Sequence, residues 1–271
     1  KKLLTLSGIT SVVGIYGIFI ELSIRGFIAN HLGMDKIGIY APIIAWSELF
    51  SSFFLHSLFQ YIFPKYGNCQ TKEELSKVAN DAIRLLTFLI IPFVLLIISL
   101  REELIPVFYS NEFSEATLYL PIHFIGIFFY TWMRIFKQIL IPTGRAKTLV
   151  PFAIAEYTLY FLIIYLTIDH IGLWAWSLRY SLIPFILLIS YYIFLFKKIN
   201  FKFYKKNIIL IAFALSASIL IYWLSFNILL SFSFSIILIA LCYFLLSKNE
   251  IRELKSIIKN YKVKYLGNKD V

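Results

Sequence analysis

Cysteine is nearly absent from this chain, with two in 271 residues. Cys69 sits in a polar stretch and Cys242 in an apolar one, so neither a disulfide framework nor a thiolate metal site is expected. Charge is scarce too, since Asp, Glu, Lys and Arg together make 15% of the sequence. Acid is the scarcer sign, with 15 carboxylates against 26 Lys and Arg. The motifs of soluble enzymes are missing: no Ser-centred elbow, no HExxH, no Walker loop, no DxD or paired metal carboxylates. No cofactor and no catalytic residue is assigned.

Apolar surface is what the chain has. It is 60% hydrophobic and 18% aromatic, against roughly 45–50% apolar for a soluble domain. A spanning helix needs about 20 apolar residues. The sequence divides into stretches of that kind at 9–31, 37–62, 82–100, 118–141, 149–169, 171–196, 207–226 and 228–247. The fold class is therefore all-α, a polytopic membrane protein with about eight transmembrane helices. Residues 1–206 read as a six-helix bundle. Residues 207–247 read as two additional peripheral helices, uncharged from Ile208 to Leu246, and 248–271 as a basic cytoplasmic tail. The first stretch is too long for a signal peptide and lacks a small-residue cleavage site. The chain opens on Lys1-Lys2 without a methionine, and is expected to be a piece of a longer protein.

The net charge of +11 follows membrane side rather than forming a nucleic-acid face, so no nucleic acid partner is expected. One side collects Lys1, Lys2, Lys65, Lys72, Lys77, Arg145, Lys147, the lysines of 197–206 and the tail. The other has only Lys36 and Arg101 in its loops, beside Glu102, Glu103, Glu112 and Glu115. The positive-inside rule then puts both termini in the cytoplasm. The tail reads as an amphipathic segment on anionic membrane lipids. Thr71 with Glu74 forms a capping-box signature, which predicts a surface helix over 71–81 leading into the third span. Pro42, Pro92, Pro121 and Pro184 fall inside spans, where membrane helices tolerate them.

An ionisable group at mid-bilayer costs roughly 2.5–3.5 kcal/mol on insertion scales, so the charges inside spans carry the functional argument. The first span holds Glu21 and Arg25, four apart, below Gly14 and Gly17. The second holds Glu48, Ser52, His56 and Gln60 at steps of four, along one helix face. The fourth holds His123, Tyr130, Arg134 and Lys137, the fifth Glu156 and Tyr160, and the sixth Arg179. A structural reading of each is open. Glu21 and Arg25 form an intrahelical pair, Lys137 snorkels to the inner headgroups and Arg179 to the outer ones, and the histidines pack as hydrogen-bonded core residues. Taken together, the stripes predict one shared hydrophilic cavity, cationic towards the inner side and suited to an anionic head group such as phosphate.

Several stretches resemble the C-terminal half of bacterial polysaccharide flippases, the O-antigen-type transporters of the multidrug/oligosaccharidyl-lipid/polysaccharide exporter superfamily. RGFIANHLGMDKIGIYA (25–41) is similar to the family's turn between two spans. FPKYGNCQTKEELSKVANDAIRLL (63–86) looks like its cytoplasmic Pro-Lys loop and following helix. LIPVFYSNEFSEAT (104–117) resembles its outer loop, PTGRAKTLVP (142–151) its inner Gly-Arg-x-Lys turn, and DHIGLWAWSLRYSL (169–182) the start of its next helix.

The resemblance implies a protein of two pseudo-symmetric helical lobes in the bacterial inner membrane. Such proteins flip an undecaprenyl-pyrophosphate-linked oligosaccharide by alternating access for lipopolysaccharide and other surface polysaccharide biosynthesis, in many members driven by an ion gradient. On that analogy Arg25, Arg134 and Arg179 are substrate-binding candidates, and Glu21, Glu48, Glu156 and His56 coupling or gating candidates. The chain corresponds to the second lobe, so a missing N-terminal lobe is its expected partner. An integral-membrane O-antigen polymerase or sugar acyltransferase is the alternative. It would look to the 101–117 loop, with one Arg and four Glu, or to His170 beside Asp169. A non-transporting scaffold is a third reading.

Overall fold

The computed structural model describes residues 2–224, 232–238 and 240. Its helices are α1 (Lys2–Leu32), α2 (Met34–Phe50), α3 (His56–Asn68), α4 (Lys72–Ser99), α5 (Arg101–Phe108), α6 (Ala116–Ile139), α7 (Leu149–Ile171), α8 (Trp174–Ile199) and α9 (Lys205–Leu224). No strand occurs among the described residues. Six of these helices are long and apolar enough to cross a membrane. The predicted span 37–62 is helical throughout but broken, because Ser51–Leu55 forms a π-helical turn between α2 and α3. The predicted span 228–247 and the tail lie largely outside the described residues.

Local chemistry sets the boundaries. Glu74 N–H donates to Thr71 Oγ1 at 3.1 Å, and the Glu74 carboxylate reaches back to the Thr71 N–H at 3.4 Å. The capping box is present, but the helix it starts does not stop at 81. It runs on as α4 to Ser99, because no breaker separates the polar turn from the apolar run. Gly33 turns α1 into α2 with φ 93°, and Gly172 turns α7 into α8 with φ 54°, conformations that suit a residue without Cβ.

The centre of the bundle is α6 on α8. A Cβ on Gly126 of α6 would collide with the backbone carbonyl of Tyr180 on α8, so the two helices touch backbone to side-chain-free backbone. Around that contact α4 and α6 are the most enclosed spans, 67% and 72% buried over their apolar windows, whereas α1 is 17% buried. The outward faces of α1 (Val12, Ile15, Phe19, Leu22) are apolar and exposed, as a lipid-facing surface is. α9 docks one face on α4 through Ala214, Ala217 and Ile221 and exposes Ile208, Ile209 and Trp223 on the other. Its start is fixed by Asn80, which is fully buried. The Asn80 amide donates to Lys202 O at 3.0 Å, and its Oδ1 accepts from Tyr204 N–H at 2.9 Å and from Asn207 Nδ2 at 3.0 Å.

Candidate functional site

Helices α1, α2, α6, α7 and α8 surround a hollow of ≈ 360 Å³. Its small wall is Gly14 and Gly17 of α1 with Gly126 of α6. Its charged wall brings together Glu21, Glu48, Glu156 and Arg179, one from each of α1, α2, α7 and α8. These are four of the in-span charges picked out by the sequence. A second, more open hollow of ≈ 410 Å³ lies between α3 and α6, lined by His56, Gln60, Arg134 and Gln138. The Glu48–Gln60 stripe is thus split. Glu48 belongs to the first hollow and His56 and Gln60 to the second, with the π-helical turn between them. Such turns recur at functional sites because they reset the helix face locally.

The charges are not equally available. Arg179 is 1% exposed. It donates from Nη2 to Glu21 Oε2 at 2.9 Å and lies over the rings of Tyr160 (5.0 Å) and Tyr180 (4.5 Å). Of its two readings, the one that sends it to the outer headgroups does not hold: it turns inward, where a carboxylate and two π faces replace water. Glu21 also holds Arg25, Nε to Oε1 at 3.6 Å, so the intrahelical pair exists as one half of a three-charge chain. Arg25 is half exposed and outside the lining of both hollows. Lys137 does not snorkel. Its Nζ reaches Glu156 Oε2 at 3.1 Å, and Tyr160 Oη donates to Glu156 Oε1 at 3.3 Å. A buried carboxylate on the next helix, α7, outcompetes the headgroups for the ammonium.

Glu48 is exposed to the hollow and has no ion pair or hydrogen-bond partner among the described residues. Arg134 has a hydrogen bond to Tyr130 Oη at 3.2 Å and the ring of Phe59 at 5.6 Å, but no carboxylate within ion-pair distance among the described residues. The predicted anion-binding cations therefore do not converge: Arg179 is in the central hollow, Arg134 in the second, and Arg25 in neither. His170 and Asp169 are exposed at the end of α7.

Sequence reasoning overlooked Tyr40 and Ser47, which meet the two ring nitrogens of His123 beside the central hollow, and Ser177, which bonds to Tyr40. Tyr40 and Ser47 are seven apart on α2, two helical turns along one face, and that spacing was the available signal. At the far end of the same wall Lys36 clamps Glu115 through both carboxylate oxygens at 2.8 and 2.6 Å, and Tyr119 Oη adds a bond at 2.7 Å.

A bundle of apolar helices closed around charges at membrane depth defines an all-α polytopic membrane protein with a polar interior. Residues 1–118 match a family described as "Polysaccharide biosynthesis protein". Among solved structures the chain is similar to one titled "Lipid II flippase MurJ, inward closed conformation", at 17% identity and a TM-score of 0.67, over 86% of this chain. The match spans about half of that flippase chain, 50% of its length. No curated protein sequence matches. The family match covers the first 118 residues, and the structural match, at that identity, is a likeness of fold.

Proposed function

We propose that the chain is the second lobe of a flippase that moves an anionic, lipid-linked oligosaccharide across a bacterial inner membrane for O-antigen or related surface glycan assembly. The observation that carries this reading is the meeting of Glu21, Glu48, Glu156 and Arg179 on one hollow between spans. Charges at that depth persist only where water or protein receives them. A polar exposed face supports the partner. Arg25, Glu48, Ser52, His56 and Gln60 are exposed along α1, α2 and α3, and acyl chains are a poor neighbour for them. An N-terminal lobe, with water between the lobes, is the surface that fits. The basic loops then face the cytoplasm, with both termini.

Within this reading the arginines divide the work. Arg134 lacks a carboxylate partner, so it is the guanidinium able to take a pyrophosphate oxygen of an undecaprenyl-pyrophosphate carrier in two-pronged fashion. Arg25 stands at the lobe surface as a second contact. Arg179 shapes the site through Glu21. Glu48 and His56 are the coupling candidates, while Glu21 and Glu156 gate by exchanging partners. Substrate binding to one of two states shifts the population between them.

The test is translocation of an undecaprenyl-pyrophosphate-linked oligosaccharide by the complete transporter in proteoliposomes. Arg134→Ala and Glu48→Ala, made separately, are each expected to lower the rate about tenfold or more, the scale of a charge-assisted hydrogen bond. Unchanged translocation in both variants, at equal protein levels, overturns the assignment.

A further inference from the structure

Four buried or half-buried side chains, of which Ser47 and His123 line the central hollow, have one more hydrogen-bond contact than they have protons. Tyr40 Oη lies 2.9 Å from His123 Nδ1 and 2.8 Å from Ser177 Oγ. His123 Nε2 lies 2.6 Å from Ser47 Oγ. Two hydroxyls also donate to backbone: Ser47 to Ile43 O and Ser177 to Tyr119 O, both at 2.9 Å. These are five contacts. A neutral imidazole brings one N–H, and Tyr40, Ser47 and Ser177 bring one proton each, which makes four.

Hydroxyl protons turn, so the neutral network fills four of the five contacts in more than one way. With the serine protons on Ile43 O and Tyr119 O, Nε2 donates to Ser47, Tyr40 donates to Ser177, and Tyr40 Oη faces a bare Nδ1 at 2.9 Å. With the Ser47 proton on Nε2, Nδ1 donates to Tyr40 and the Ile43 contact is the one left open. A proton added to the bare ring nitrogen makes both nitrogens charge-assisted donors and completes all five.

We propose that His123 is a proton-binding site of the central hollow. The proton leaves a hydronium in the hollow, which becomes water. It bonds to the bare ring nitrogen, after which Nε2 donates to Ser47, Nδ1 to Tyr40 and Tyr40 to Ser177. The filled network ties α2, through Tyr40 and Ser47, to His123 on α6 and Ser177 on α8. His123 lines the hollow, which gives the proton its route. Burial and the Arg179 guanidinium on α8 work against a charge on the ring, and the partly buried ring of Tyr180 packs 4.3 Å away. Three groups work for it. Glu21 on α1 neutralises Arg179 at 2.9 Å, and Glu48 on α2 and Glu156 on α7 face the same hollow. Beside the ring and the tyrosines, the lining carries three carboxyl groups and one guanidinium, with Glu156 further paired to Lys137. The inference is independent of what the hollow carries.

The test is ring-nitrogen solid-state NMR on histidine-labelled protein in bilayers, with His31→Gln, His56→Gln and His170→Gln so that His123 is the last imidazole of this chain. Between roughly pH 5 and 8, both nitrogens are expected to be protonated in a fraction that grows as pH falls. Ser177→Ala frees the Tyr40 proton for Nδ1 and balances the neutral network, three contacts with three protons. The imidazolium-to-imidazole ratio at a given pH then falls about tenfold, the equivalent of one pH unit. Tyr40→Phe, which removes the acceptor, acts in the same direction and serves if Ser177→Ala folds poorly. One bare ring nitrogen at every pH in that range, or a ratio unmoved by both substitutions, overturns the proposal.

Discussion

Glu21 and Arg179 are 158 positions apart and meet at 2.9 Å, joining α1 to α8 across the wall of the central hollow. Arg179 keeps two guanidinium nitrogens, Nε and Nη1, buried without a hydrogen-bond acceptor, so the carboxylate and the two tyrosine rings are all that offset its desolvation. Glu21→Gln is expected to strand that charge. Removing one partner of a fully buried pair costs roughly 3–5 kcal/mol. Glu21 is about a third exposed, which puts the loss at or below the lower end. Adding Arg179→Leu removes the stranded charge and is expected to recover part of the stability. Thermal unfolding of the two single variants and the double variant measures the coupling. Additive losses would show that the contact is not energetically joined.

Two glycines that look alike in sequence are expected to behave differently. A Cβ on Gly126 meets the backbone of Tyr180, which cannot yield without moving α8. A Cβ on Gly17 meets the far end of the Tyr157 ring, 2.5 Å from Cζ, and a ring can swing. Gly126→Ala should cost in the usual overpacking range of roughly 1–3 kcal/mol, and Gly17→Ala less. Fluorescence-detected size-exclusion profiles after graded heating rank the two. A more heat-labile Gly17→Ala would mean that the tyrosine ring, not the α6–α8 contact, is the rigid part.

The Lys36–Glu115 clamp predicts an acid-sensitive end of the bundle. The bond from Lys36 holds the Glu115 carboxyl below its ordinary value of 4.5, with a smaller push from Tyr119 Oη, and partial burial opposes both. A carboxyl whose value is lower folded than unfolded binds fewer protons in the folded state. Its contribution is therefore complete above 4.5 and fades as pH falls through the lowered folded value. Glu115→Gln removes the clamp, so its stability deficit should be constant above that window and shrink below it. Unfolding midpoints of both proteins on an acid series read this directly. A deficit that grows on acidification contradicts the assignment.

How much of this was legible beforehand depends on whether a feature is local. The apolar runs located α1, α4, α6, α7, α8 and α9 because span length and hydropathy need no partner. The Glu21–Arg25 pair and the Thr71–Glu74 box were readable for the same reason, as i,i+4 and i,i+3 chemistry within one helix. Periodicity gives the face of a charge but not the helix it meets. Hence the headgroup reading of Lys137, and the same alternative for Arg179, stays open in the sequence, when each has a carboxylate inside the bundle. The π-helical turn left no mark either, since Ser51–Leu55 reads as ordinary apolar helix. It nonetheless decides that Glu48 and His56 serve different hollows.

Asn80 is the case where a polar residue in a charged stretch proves to be fully buried. It belongs to the segment expected at the surface, yet its side chain is 0% exposed and bonds to the connection that leads into α9. Asn207 Nδ2 donates to both Asn80 O, at 2.8 Å, and Asn80 Oδ1, at 3.0 Å, so the two amides lock α4 to the first turn of α9. Asn80→Ala leaves Tyr204 N–H without its acceptor, at a cost of roughly 1–3 kcal/mol for an unsatisfied buried donor. Because the loss is concentrated where α8 hands over to α9, local opening there should precede global unfolding. Limited proteolysis is expected to cut between Ile199 and Lys205 in Asn80→Ala sooner than in the parent, with α6 and α8 still protected. Asn80→Asp keeps the acceptor for Tyr204 N–H and Asn207 Nδ2 but loses the donor to Lys202 O, so it should fall between the two. If both substitutions leave the cleavage rate at the parent's, α9 is held by its apolar face on α4 and the amide pair adds nothing to it.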